Sequence, residues 1–205
     1  MRIYYFSGAS FPSPESRSVH VMKMCEAFGK AGHDVTLFAM GNPRLDHDKI
    51  FKSYDVSGSF KLSLSHDVNI PVLSGYKRMR HISEKIKAMG EPDMVFGRDP
   101  IAIALFAPPR STIVFEASQM PQNKSQSAAI TRIIKKPGFS GIVALSDPLK
   151  QDLLKKYPTL RSEQIFVAHD AAEVPHNISG TAAPAQTLKG REKAFRVGYA
   201  GTMHQ

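Results

Sequence analysis

His20, Arg98 and the run Ser16-Arg17-Ser18 are the side chains whose types and positions suit an anionic or hydroxyl-bearing ligand. Ser16, Arg17 and Ser18 lie at the mouth of a predicted helix that follows the first strand. Free amides and the positive dipole end collect there and attract phosphate or sugar oxygens. His20, on the first turn of that helix, either contacts an acceptor or donor hydroxyl or packs against the adjacent loop; the residues leave both open. Arg98 closes a buried strand, where an α/β sheet presents groups to its cleft. A guanidinium there suits a phosphate or carboxylate, or else pairs with Asp99 or another local acid. His47, His66 and His81 lack ligand spacing with acids or cysteines, so no bound metal is predicted.

The elements that must position these groups alternate. Arg2 to Ser7 reads as a β-branched and aromatic strand, Gly8 to Arg17 as irregular, and Ser18 to Ala31 as a helix with Val21, Met22, Cys25 and Phe28 on its apolar stripe. Strands follow over 34–40, around Phe60, Leu62 and Leu64 as a half-buried strand, and over 93–97, 112–115, 141–145 and 164–168. Helices are predicted over 75–89, after Asp99-Pro100, over 126–136 and after Asp147-Pro148, with each aspartate as N-cap and each proline at the first helical position. This βαβ cadence predicts an α/β fold: a Rossmann-like, doubly wound, mainly parallel sheet with helices on both faces.

Composition narrows the function classes. The chain has 205 residues, 42% of them hydrophobic, and a net charge of +9 from 27 Lys and Arg against 18 Asp and Glu. No run approaches the roughly 18 apolar residues of a membrane span, and the start is too short for a signal peptide, so a cytoplasmic location is the expectation. Cys25 is the single cysteine and reads as a small buried hydrophobe rather than a nucleophile. The basic clusters at 76–87 and 132–136 attract phosphates in nucleic acid, an anionic membrane surface or a diphosphate-linked substrate, or are solvated helix faces. No zinc-finger spacing or aromatic RNA-binding motif accompanies them, so nucleic acid is not expected as a partner.

Five segments, in order, resemble the two-domain GT-B glycosyltransferases, particularly the retaining family-4 group. Ser18-Val-His20-Val-Met-Lys resembles the start of that family's first helix, and Gly32-His33-Asp-Val-Thr-Leu its "GH-x-V" strand entry. Met94-Val-Phe-Gly-Arg98-Asp is similar to the end of the acceptor domain's middle strand. Ile142-Val-Ala-Leu-Ser146-Asp-Pro-Leu is similar to the "V-S-x-x-L" element, and Val197-Gly198-Tyr-Ala-Gly201 to the first strand of the donor domain. The resemblance implies an acceptor-binding domain over 1–170, a linker over 171–194 and the first strand of a donor domain over 195–205, with Gly198 and Gly201 on the nucleotide side. It implies transfer of a sugar from a nucleotide-sugar donor to a glycan or lipid-linked acceptor hydroxyl, without a cofactor or obligatory metal. Catalytic residues would lie in a carboxyl-terminal domain beyond Gln205, and this half alone would be inactive.

Some positions depart from the family. The family's paired glycines before the histidine are matched here by Glu15 and Ser16. Its histidine near the end of the fifth strand is replaced by Glu116 and Ser118, where Glu116 either orients a hydroxyl or pairs with a basic neighbour. His169-Asp170 stands in place of an Asn-Gly pair, as a ligand contact or a hydrogen-bonded turn. Two other classes remain. A dinucleotide enzyme lacks its G-x-G-x-x-G loop after the first strand. A non-catalytic glycan- or phosphate-binding module is the alternative to an enzyme, and the basic helix adds peripheral contact with an anionic membrane as an expected property.

Overall fold

A computed structural model describes residues 1–65 and 71–170, with side chains outside 71–76. Within it, β1 (Arg2–Phe11), β2 (Asp34–Gly41), β3 (Lys61–Ser65), β4 (Met94–Gly97), β5 (Thr112–Ala117), β6 (Phe139–Ala144) and β7 (Ile165–Val167) form one sheet in the order β3-β2-β1-β4-β5-β6-β7, and every pairing is parallel. The order reverses beside β1, between outward steps to β2 and to β4. That reversal is the switch point where an open α/β sheet leaves a crevice at the carboxyl ends of its strands.

Residues of β1 alternate between two cores. Tyr4 and Phe6 face one side with α3 (Pro71–Met89), α4 (Pro100–Phe106), α5 (Lys124–Ile134) and α6 (Asp147–Lys156); Ile3 and Tyr5 face the other with α1 (Ser16–Lys30) and α2 (His47–Ser53). A strand covered on both faces needs apolar residues at every position, which explains the unbroken Ile3-Tyr-Tyr-Phe6 run. Cys25 is fully buried in the α1 core, and burial, then the charge of Glu116, pushes its thiol well above its usual range, so it packs as a hydrophobe.

Several boundaries differ from those read in the sequence. The strand β1 runs on to Phe11 instead of stopping at Ser7, because Ala9 and Phe11 are buried although Gly8 and Ser10 look loop-like; its register against β2 slips between Phe6 and Ser10. The helix α1 begins at Ser16, so His20 is its fifth residue, two residues further in than expected. The strand β3 is buried on both faces, Ser63 and Ser65 included. The short α2 was not legible, since Ile50 is its sole buried residue and its start depends on Asp46 accepting from the Asp48 amide.

Asp99 caps α4 as expected, accepting from the Ile101 and Ala102 amides. The second Asp-Pro pair works differently. Ser146 is the N-cap of α6 and accepts from the Leu149 amide, with Asp147 and Pro148 already inside the helix. The proposed linker and the second-domain strand, with Gly198 and Gly201, lie outside the described residues, as does His66. Residues 1–170 form one compact unit.

Candidate functional site

Strand ends converge on one carboxylate. Phe115 pairs in register with Gly97, which sets Glu116 of β5 level with Arg98, the residue just past β4. Arg98 donates from Nη2 to Glu116 Oε1 at 2.6 Å, and the Tyr5 hydroxyl donates to Oε2 at 2.9 Å. His20 reaches in from α1: Nε2 stands 2.8 Å from Glu116 Oε1, and Nδ1 stands 3.1 Å from Asp170 Oδ1, just beyond β7. The Nε2 contact is one of proximity, because that nitrogen has no aligned hydrogen-bond acceptor. Arg98 Nη2 also lies 3.6 Å from Asp170.

Exposure rises outward through this cluster. The Glu116 side chain is 1% exposed, Arg98 8%, His20 22% and Asp170 56%, so the carboxylate is the floor while the histidine and Asp170 reach the opening. Burial alone would raise the Glu116 carboxyl, but His20 and Arg98 outweigh it and hold it at about 2. Burial opposes the Arg98 cation, and the hydrogen bond and charge of Glu116 overcome that and raise it. The Tyr5 phenol is pushed well above 10 by burial and then by the Glu116 charge, so it stays a donor. A deprotonated Glu116 therefore accepts from its neighbours at neutral pH and has no proton to give.

A second charged pair stiffens the adjoining wall. Arg78 of α3 bonds Asp99 Oδ2 at 2.6 Å and donates to the Ser7 carbonyl at 2.9 Å, which ties α3 to the ends of β1 and β4. Arg78 is thus spent on Asp99 and Ser7, neither on a phosphate nor on the solvated face that the basic run left open. Arg98 does not pair with Asp99; its acid is Glu116.

The remaining candidates scatter around this centre. Ser16 is exposed, Arg17 is exposed and paired with Glu15 at 2.9 Å, and Ser18 is buried with a hydroxyl that finds no partner. Ser118 is exposed past the end of β5, Ser146 is spent on its cap, and exposed His169 sets Nδ1 3.0 Å from the Leu145 carbonyl. Of the sequence candidates, His20, Arg98 and Glu116 are joined directly. Tyr5 was missed because it reads as strand core, and its hydroxyl gave no sign of where it pointed; Asp170 was left open in the sequence between a ligand contact and a turn, and it stands beside His20.

Among the described residues no group of three or more His, Cys, Asp or Glu is arranged to hold a metal ion. An open pocket of about 400 Å³ lined by Pro121, Gln122, Asn123, Lys124, Ser127 and Lys156 shares no residue with the cluster.

No protein-family model and no curated protein matches the chain. Solved structures do. The apo form of the lipopolysaccharide outer core galactosyltransferase WaaB matches at TM-score 0.56 and 16% identity, covering 86% of this chain and 47% of that one. A glycosyltransferase from Rickettsia africae matches at TM-score 0.54 and 15% identity, covering 84% and 43%. A Listeria monocytogenes protein described as a UDP-N-acetylglucosamine 2-epimerase matches at TM-score 0.55 and 13% identity, covering 81% and 44%. The chain thus has the Rossmann-like fold seen in GT-B glycosyltransferases and spans less than half the length of these proteins.

Proposed function

We propose that this chain is the acceptor-side half of a retaining, family-4-like glycosyltransferase. It would help move a sugar from a nucleotide-sugar donor to a hydroxyl of a glycan or lipid-linked acceptor in the cytoplasm. The observation that carries the reading is the Glu116 cluster at the carboxyl ends of β4, β5 and β7, with Tyr5 of β1 beneath it, beside the switch point. Support from the fold is general, since the similar structures include both sugar-transfer enzymes and a protein described as an epimerase.

Roles follow from exposure and bonding. His20 is the contact residue: Nε2 is buried against Glu116, and the Nδ1 side of the ring, beside exposed Asp170, can hydrogen-bond a sugar hydroxyl. Glu116 is a positioning residue: Arg98 and Tyr5 hold its carboxylate by hydrogen bonds, and its charge stands against one side of the ring. Groups already fixed by their neighbours lose little freedom when ligand arrives. The departing nucleotide diphosphate needs cations or amides from an opposite wall, so this half binds acceptor and does not transfer sugar alone. The fold neighbours are about twice as long, which leaves room for such a wall. No resident cofactor is needed for this chemistry.

Saturation-transfer NMR on the 205-residue chain tests the reading, with nucleotide sugars and soluble acceptor oligosaccharides as probes. Acceptor signals that disappear in His20→Ala, with the fold intact by circular dichroism, are expected. Sugar transfer by this chain alone, or acceptor signals unchanged in His20→Ala, would overturn the assignment.

A further inference from the structure

On the face opposite α1, three large apolar side chains stand in solvent on neighbouring helices: Met79 of α3 at 43% exposure, and Ile101 and Leu105 of α4 at 41% each. Ile101 and Leu105 are four residues apart and share one side of α4, while Ala102, Ile103 and Ala104 turn inward to the core. Met79 joins them by helical phase. At about 100° per residue, Met79 and His81 fall on opposite flanks of the line through Arg78 and buried Ile82. His81 meets Ser63 of β3 at 2.9 Å, and Arg78 reaches the α4 cap Asp99, so the Met79 flank is the one turned toward α4.

Cations frame this ridge on both sides. Lys87 is exposed on α3, and Arg132 and Lys135 are exposed along α5 and its C-cap; α5 packs against α4. Among the described residues of α3, α4 and α5 the one acid in an exposed position is Glu84, already engaged by Arg80 at 2.7 Å. An apolar centre inside a cationic rim complements an anionic lipid surface, where acyl chains receive the apolar residues and headgroups receive the charges. A nucleic acid or other soluble polyanion would use the rim and leave the ridge wet.

We propose that the α3–α4–α5 face docks peripherally on anionic lipid bilayers, with Met79, Ile101 and Leu105 entering the headgroup boundary. No described helix is long and apolar enough to cross the membrane, so this contact lies on the surface. It presents the chain side-on to lipid, and it stands apart from the sugar-transfer reading because its test contains no sugar.

The test is co-sedimentation of the 205-residue chain with vesicles of phosphatidylcholine alone and of phosphatidylcholine with phosphatidylglycerol, at low and at raised salt, beside heparin as a soluble polyanion. Binding to the anionic vesicles alone is expected. The double variant I101Q/L105Q should lower it at least about tenfold while leaving heparin retention unchanged. Lys87→Glu should lower both by about fivefold or more at low salt. Melting curves establish that the variants are folded, and Val19→Gln, an exposed apolar position on α1, should bind as the unaltered chain does. Absence of vesicle binding, or vesicle binding indifferent to I101Q/L105Q, would overturn the proposal, the second result assigning the face to soluble polyanions instead.

Discussion

Arg98 and Glu116 meet at 2.6 Å across the ends of adjacent strands β4 and β5, with only 8% and 1% of their side chains exposed. Removing one member of such a pair leaves the other charge buried without compensation. Glu116→Ala should therefore cost about 3–5 kcal/mol of stability, measured by urea denaturation. Arg98→Met with Glu116→Leu, which removes both charges and keeps volume, should cost far less than either change to alanine.

The same carboxylate sets an acid response. Its folded value of about 2 lies below the ordinary carboxyl value of 4.5, so its contribution is present above about pH 4.5 and is lost as pH falls toward 2. The size is roughly 3 kcal/mol, from 1.36 kcal/mol per unit. Denaturation followed from pH 5 to pH 2 should show that loss, and Glu116→Gln should flatten it.

Gly97 ends β4 with φ of +145°, and a Cβ there would strike the backbone of Phe6. Gly97→Ala should either unfold the chain or push β4 away from β1, displacing Arg98 from Glu116. A thermal melt reads the first outcome directly. A shift of the His20 ring resonances in two-dimensional NMR reads the second.

Asp99 does two jobs, capping α4 and neutralising Arg78. Asp99→Asn keeps an oxygen for the amides and loses the charge, whereas Asp99→Ala loses both. The alanine variant should be less stable than the asparagine variant by about 1 kcal/mol, the usual worth of an N-cap. Equal stabilities would show that the charge alone matters.

The parallel sheet was legible because strands buried on both faces read as apolar runs, as in Ile3 to Phe6 and Val95-Phe96, separated by helix-length segments. The Asp99 cap was legible because an aspartate before proline has a local mechanism. The second cap was not, since Ser146 and Asp147 are both capable and tertiary context chose the serine. Arg98, Glu116 and His20 were each marked by type and by position at a strand or helix end. Their meeting could not be read, because it depends on the register that sets Glu116 beside Arg98 and on α1 starting at Ser16. Tyr5 and Arg78 carried no local signal at all: one sits in an aromatic strand, the other in a basic helix, and each is defined by a partner far away in the chain.

The central claim is sugar transfer across a cleft floored by Glu116 and touched by His20. The most direct test is to incubate the product of the complete natural gene with a panel of nucleotide sugars and a lipid-and-oligosaccharide acceptor extract, and to follow release of nucleotide diphosphate and sugar-extended product by mass spectrometry. The account predicts extended product with retained anomeric configuration from at least one donor, falling roughly 100-fold in His20→Ala. Donor consumed without any extended acceptor, as an epimerase or hydrolase would give, or transfer unaffected by His20→Ala, would contradict it.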